Sequence, residues 1–419
     1  MQVPTVTAGD APAPPPFLPP LWRQPEYMRL WTAQVIGNLG GHASGIAYPL
    51  LVLALTGSPK AASVVSVLHI LPYLLLCLPV GALVDRWNRR RVMLTCHAGR
   101  MLAVAVLVAA SARGGLSLPL LYAVAVVEGV CMVFFNIAET AALPRVVPTP
   151  QLARATAQNQ AGFGVSAVLG PALGAWLFEA GGHAAPFVLD LACHAVAALQ
   201  LWRLRTSFVP QPAVGRRHLG AEVMEGLRWL WRERLVRDIA LITGVVNMVQ
   251  AAVPLLLIVL ARQHGASESQ VGVVFSCGGA GAILGALVGP WVQQRLPFGP
   301  ALIGVLVIEA AVFPLFALGQ GAWSLGLVYG VIMFVGPVYN VLQFSRRIAM
   351  IPDGLQGRVN SSFRLVAMGL NPVGAAACGW LLEHGGSGRT LALFGAVWAA
   401  VALVAWADPV LRQARQRGG

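Results

Sequence analysis

The stretch Gly81-Ala82-Leu83-Val84-Asp85-Arg86-Trp87-Asn88-Arg89-Arg90-Arg91 decides the fold. An apolar run stops at an acid, and a cluster of arginines follows at once. Hydrocarbon accepts the first part and rejects the second, so a membrane-crossing helix leaves the bilayer here. The pattern returns 204 residues later as Gly285-Ala286-Leu287-Val288-x-x-Trp291. The same offset aligns Asn136 with Asn340, Pro148 with Pro352, Arg154 with Arg358 and Gly170 with Gly374. It also aligns Trp176-Leu177-x-Glu179-x-Gly181-Gly182 with Trp380-Leu381-x-Glu383-x-Gly385-Gly386. General apolar character does not account for matched Trp, Glu, Pro and Arg, so the chain is an internal duplication.

Composition agrees. The 419 residues are 57% hydrophobic and 11% charged, with mean hydropathy +0.70. A soluble domain carries about 25% charged residues, so a soluble enzyme, a disordered chain and a collagenous chain are excluded. About 20 helical residues cross a ~30 Å hydrocarbon core. Segments of that size fall at 29–54, 62–84, 92–112, 117–138, 156–178 and 185–205, then at 239–261, 269–290, 299–319, 323–345, 361–383 and 388–407. The runs are unbroken and lack the alternation of barrel strands. The expected fold is an all-α membrane protein with twelve transmembrane helices in two parallel six-helix bundles. With an even number of spans per repeat, an axis along the membrane normal relates the halves. The expected units are a proline-rich disordered cytoplasmic tail (1–27) and a first bundle (28–205). A linker (206–238), a second bundle (239–408) and a basic cytoplasmic tail (409–419) follow. No signal peptide is read in the tail. In the linker, His218 to Asp238 reads as an amphipathic helix lying at the membrane surface.

The net charge of +13 reports orientation. With the N-terminus inside, the internal connections and tails hold 23 of the 29 basic residues. The external loops hold four, Lys60, Arg113, Arg262 and Arg389, and Arg100 and Arg364 lie within spans. This asymmetry places both termini in the cytoplasm and removes the need for a nucleic-acid partner. The six cysteines are scattered through apolar runs without a C-x-x-C pair, so neither a disulfide frame nor a metal site is expected. No cofactor is expected.

Gly81-x-x-x-Asp85-Arg86-x-Asn88-Arg89-Arg90 resembles the loop signature of the major facilitator superfamily. Asn88 stands where the family usually has glycine, and is read as the other residue that tolerates a left-handed turn. The resemblance implies that this loop is a cytoplasmic latch between conformations. The second-half copy carries Gly289 and Pro290 in place of the acid and the arginine. Ser166-x-x-x-Gly170-Pro171-x-x-Gly174 is similar to the helix signature of the superfamily's efflux antiporters, with Ser166 replacing a glycine. Leu53-x-x-Thr56-Gly57-Ser58-Pro59, Leu143-Pro144-Arg145-x-x-Pro148 and Leu189-Asp190 resemble the macrolide-efflux and siderophore-exporter branch. The resemblance implies proton-driven export of a bulky amphiphile, a drug or a siderophore, by a protein of the bacterial inner membrane, read here as a monomer. In the first span, where members often carry an acid, this chain has Gly41 and His42.

A charge at mid-membrane costs about 3 kcal/mol, so each is a functional candidate. Glu128 and Glu309 lie near the middle of spans four and nine and are the first two candidates for carrying the proton. Glu128 and Arg100 also read as a charge pair across neighbouring helices; the two roles are compatible. Asp190 is expected near the outer end of its span as a wet, structural or gating residue, and is the next coupling candidate with His42. Arg364 reads as snorkelling to the surface. Asn38, Asn247, Asn340, Gln343, Tyr48 and Tyr339 are cavity candidates, with packing between helices as the alternative. No phosphate loop, nucleophile elbow or His-Glu-x-x-His is present. The expected activity is therefore secondary transport of a small molecule, export in the first place and import or lipid flipping in the second, and no catalysis. A non-transporting receptor is the remaining class.

Overall fold

Residues 19–206, 208, 219–352 and 355–414 are described by the computed structural model. Among them there are helices and turns and no strand. Local chemistry sets the ends of the passes. Asn88 Oδ1 accepts from Arg91 N, and Ser267 with Gln270 forms a capping box. The first half comprises α1 (Pro25–Thr56), α2 (Pro59–Arg86), α3 (Arg89–Ala112), α4 (Leu118–Val146), α5 (Leu152–Ala180) and α6 (Ala185–Trp202). A short amphipathic helix, α7 (Leu219–Arg232), leads to α8 (Arg234–Gln263), α9 (Glu268–Arg295), α10 (Phe298–Val312) and α11 (Ala322–Met350). The chain ends in α12 (Gln356–Gly369), α13 (Asn371–Ala407) and α14 (Pro409–Gln413).

Among the described residues eleven helical stretches are long and apolar enough to cross a membrane, the last running 50 residues from Arg358 to Ala407. That stretch holds two passes. Gly226 of α7 packs on the backbone of Arg358, Glu383 reaches the start of α2, and Ala414 O accepts from Gly299 N at the start of α10. The chain therefore crosses, turns and returns. The turn is at Gly386, with φ 72°, and its repeat partner Gly182 has φ 79°. Only glycine adopts this conformation without cost, which explains the Gly-Gly pair in both copies. The fold is the expected one: twelve passes in two parallel halves, with α4 and α11 beginning and ending on residues 204 apart.

Within each half, helices meet backbone to backbone. A Cβ on Gly174 of α5 would overlap Ala43 O of α1, and one on Gly374 of α13 would overlap Met248 O of α8, between the same two passes of the second half. A Cβ on Gly285 of α9 would overlap Phe334 O of α11. Leu102, Leu287, Leu327 and Leu403 face outward, exposed, as lipid-facing positions do.

Several boundaries differ from the sequence reading. α1 begins at Pro25, and Leu21 and Tyr27 are buried, so residues 19–27 are folded against the first half; residues 1–18 lie outside the described residues. The linker helix stops at Arg232, and 234–238 already belong to α8; residues 207 and 209–218 lie outside. Leu411 is buried and Ala414 is bonded to α10, so the tail begins as packed structure; 415–419 lie outside. α4 continues eight residues past 138, to Val146. Asn88 has φ −69° and is an extended N-cap with no left-handed turn.

Arg86 to Arg91 mark one end of the bundle, called here the basic end. The halves touch mainly towards the opposite end, α5 against α9 and α2 against α13. Ser276 Oγ donates to Val168 O at 3.1 Å, and Gly272 packs against Ala175.

The repeat offers an internal control on packing. Gly285→Ala should lower the stability of the purified protein by about 3 kcal/mol, because its Cβ meets a backbone oxygen. Gly81→Ala, at the equivalent position with nothing within 4 Å, should leave the thermal melt unchanged. Equal melts for the two variants would contradict the α9–α11 contact.

Candidate functional site

Two cavities lie between the halves. The deeper one, of about 250 Å³, is lined by Ser44, Tyr48, Ser63, Ser66, His69 and Glu128 from the first half and by Ala251, Pro254, Leu255 and Ala375 from the second. Its polar groups all come from one side. Counting 1.5 Å per residue along α4 puts Glu128 about 15 Å from the helix start, near mid-membrane.

Behind this pocket the first half buries a polar group of unusual density. Glu128 and Asp190 are almost fully buried, at 1% and 0% exposure. Each feels the other and the charge of Arg100, and the Tyr48 hydroxyl faces Glu128. Arg100 makes no direct ion pair with either acid among the described residues. It lies along α1, its Nη2 3.4 Å from the point where a Cβ on Gly41 would stand. His194 Nε2 is 3.3 Å from Asp190 Oδ1, and His194 Nδ1 is 3.0 Å from His97 Nδ1. Of two facing Nδ1 atoms one carries hydrogen and the other accepts it, so the histidine pair fixes one proton between α3 and α6. Asp190 is not the wet residue expected from its place near a helix end. Gly40 has no side chain, so α1 closes over it: a Cβ there would stand 2.6 Å from Asp190 Oδ1.

The second cavity, of about 840 Å³, lies nearer the basic end. The first half contributes Gln34, Tyr73, Asn136, Glu139, Asn159 and Gln160, and the second contributes Arg364, Met368 and Asn371. Glu139 is buried, and its Oε1 accepts from Asn159 Nδ2 at 3.0 Å. Tyr27 Oη lies 3.3 Å from Asn159 Oδ1 and supports it from behind. Arg364 does more than reach for the surface: its guanidinium lies over the Tyr73 ring and donates to the Tyr73 hydroxyl. Glu139 escaped the sequence reading because span four was closed at 138, where hydropathy falls. The signal available was the acid itself, three residues short of another apolar Ala142-Leu143-Pro144.

The remaining candidates are elsewhere. Glu309 is buried in α10, with no hydrogen-bond partner for either oxygen, and borders neither cavity. His42 meets Phe163 edge to face at 5.2 Å, between α1 and α5. Asn247 donates to Ala367 O, Tyr339 shares a 2.7 Å hydrogen bond with Thr243, and Gln343 accepts from Arg347. Asn340 is exposed and Asn38 half-buried, and neither borders these cavities.

In the basic loop Arg86 is exposed and Arg89 buried. Arg90 Nε donates to Leu201 O at 2.9 Å and its Nη2 to Trp202 O, at the C-terminus of α6, where a cation complements the helix dipole. The Asp85 side chain lies outside the described residues. In the α5 motif, Gly170 and Gly174 admit α1, Ser166 Oγ donates to Val35 O at 3.0 Å, and Pro171 lies against Gly272 of α9. This signature is thus the surface on which α5 meets both α1 and the other half.

Two parallel six-helix halves around a central cavity are the architecture of a multi-pass transporter of the major facilitator superfamily. Residues 16–415 match the family described as transmembrane secretion effector, and the chain belongs to that family. It is 26% identical over 406 residues to the multidrug efflux pump Tap of Mycolicibacterium fortuitum, covering 93% of this chain and 97% of the pump. It is 26% identical over 303 residues to the enterobactin exporter EntS of Escherichia coli O1:K1 / APEC, covering 72% of each. Among solved structures it resembles the nucleoside transporter NupG, with TM-score 0.74 at 11% identity over 91% of this chain and 98% of that one. A bacterial homologue of the iron transporter ferroportin in an inward-facing state gives TM-score 0.68 at 15% identity, over 92% and 100%.

The buried Asp190–His194 contact is open to a double-mutant cycle. Asp190→Leu should cost about 1–3 kcal/mol by leaving His194 Nε2 facing an apolar side chain, and Asp190→Leu with His194→Leu should recover part of that loss. Strict additivity in thermal melts would mean the two side chains do not interact.

Proposed function

We propose that this protein is a proton-coupled exporter of the bacterial inner membrane, moving a bulky amphiphilic drug or siderophore-like metabolite out of the cytoplasm by alternating access. The observation that carries the reading is the group of Glu128, Asp190, Arg100 and Tyr48, buried beside a pocket between the halves. A proton bound there changes the charge of a site that the halves enclose or expose as they rock. It therefore biases one conformation over the other, and the substrate in the neighbouring cavity is linked to it reciprocally. The relatives named as a drug pump and a siderophore exporter and the small-residue surface of α5 support the outward direction.

The arginine distribution supports a cytoplasmic basic end, with both termini inside. In this reading 28–205 and 239–408 are the two moving units of a monomer, joined by 206–238 along the cytoplasmic surface. The larger cavity then receives substrate from the cytoplasm while the outer end is shut. Two glutamates matched by the repeat hold it shut. Glu179 Oε2 accepts from Ser269 N at 2.6 Å at the start of α9. Glu383 Oε2 accepts from Lys60 N at 3.2 Å, and also from the Ser58 hydroxyl, at the start of α2. Each acid sits at a helix N-terminus of the other half, where the backbone donors and the dipole favour it. Opening the outer end breaks both. At the inner end Asp85 and the arginines after it serve as the latch.

Everted membrane vesicles loaded with a pH dye test the coupling. Amphiphilic drugs or catecholates added outside should alkalinise the acid lumen in the wild type and not in Glu128→Gln. Unchanged exchange by Glu128→Gln at every external pH would sink the assignment. For the outer closure, Glu179→Ala with Glu383→Ala should speed the labelling of a cysteine placed at Ser66 by an impermeant maleimide added to intact cells. A labelling rate equal to that of the parent means the two contacts do not hold the outer end.

A further inference from the structure

The larger cavity carries one charge of each sign, on walls that belong to different halves. Glu139 is on α4 of the first half and Arg364 on α12 of the second, and the two form no ion pair among the described residues. Asn159 Nδ2 holds Glu139 Oε1 and, behind it, Asn159 Oδ1 meets Tyr27. One carboxylate oxygen is thus fixed and the acid is aimed at the cavity it lines. Arg364 spends one N–H on the Tyr73 hydroxyl, and its guanidinium carbon stands 5.5 Å from the centre of that ring. A guanidinium has five N–H donors, so donors remain for a ligand. Between the two charges lie amides, Gln34, Asn136 and Asn371, and apolar surface from Ile70, Leu74 and Met368. The volume of about 840 Å³ falls among those that take drug-sized ligands, about 300–1,000 Å³.

We infer that this cavity selects dipolar amphiphiles: molecules with a cationic nitrogen group for Glu139 and, across an apolar body, a carboxylate or phenolate for Arg364. The inference rests on the transport reading above and names the substrate class for it. A ligand that is only a cation leaves Arg364 unanswered, and a pure anion faces Glu139 with like charge. A dipolar ligand answers both and spans the two halves, so its binding draws them together at the basic end. A merely structural Glu139 would serve only to hold Asn159, which a glutamine does equally well.

Three dyes on one xanthene skeleton separate these cases: rhodamine B, which is zwitterionic; rhodamine 6G, its cationic ester relative; and fluorescein, which is anionic. Fluorescence polarisation on the purified full-length protein reads binding without transport. The wild type should bind rhodamine B roughly ten-fold or more tighter than either other dye: its carboxylate accepts from Arg364, and its tetraethyl cation, which has no N–H, meets Glu139 through charge alone. Glu139→Gln should erase the preference for rhodamine B over fluorescein, and Glu139→Asp should keep most of it. Arg364→Gln should erase the preference over rhodamine 6G alone. Wild-type protein that binds rhodamine B no tighter than the other two, or not at all, overturns the inference. So does a Glu139→Gln protein with the wild-type preference order. If the preference stands while the vesicle experiment shows no proton exchange, the coupling reading fails and the substrate class survives.

Discussion

Close contact between helix backbones is the constraint on which the rest of this structure depends. In lipid, a helix gains nothing by hiding leucines from solvent, so association rests on packing and on hydrogen bonds between helices. The chain meets this with glycines set where two backbones cross. Gly174 against Ala43 and Gly374 against Met248 hold the first helix of each half against its fifth pass, and Gly285 against Phe334 holds α9 against α11. The same closeness seals the polar interior. Gly40 lets α1 lie on Asp190, and Gly129 of α4 meets the backbone of His69. Without these approaches water would reach Glu128 and Asp190.

The two halves share a plan and not a chemistry. The matched turns at Gly182 and Gly386 and the matched helices α4 and α11 show how closely the plan is kept. Yet the smaller pocket between the halves takes every polar group from the first half and offers Ala251, Pro254, Leu255 and Ala375 from the second. The basic loop has likewise kept its acid and arginine only in the first copy. Duplication supplied the two bodies, and the acids that line or flank the two cavities, Glu128, Asp190 and Glu139, all lie in one of them.

Most of the fold was legible because long apolar runs and a constant offset are one-dimensional signals. The site was less so, for reasons that particular residues make plain. Glu139 was passed over because hydropathy marks where a chain leaves lipid, and α4 runs on beside a wet cavity where the helix is no longer obliged to be apolar. Asp190 looked wet because distance from a helix end is a poor guide to burial when a glycine on another helix lets that helix lie over it. The contact between His97 and His194 joins residues 97 apart on different helices, and nothing in either neighbourhood announces the other. Asn88 was read through the turn that glycine would make, whereas its side chain acts as a helix cap. Sequence reported the elements and their order; contacts between elements carried the chemistry.

Arg90 gives the basic loop a reach beyond its own neighbourhood. By holding the final carbonyls of α6 at Leu201 and Trp202, it fastens the loop to a straight rod of about 27 Å. Asp190 and His194 ride on that rod. A helix resists compression, so a displacement of the loop that keeps this grip is delivered along α6 to the buried acid and imidazole. The arginines that mark the basic end thus double as the handle of a push-rod whose far end is the buried acid.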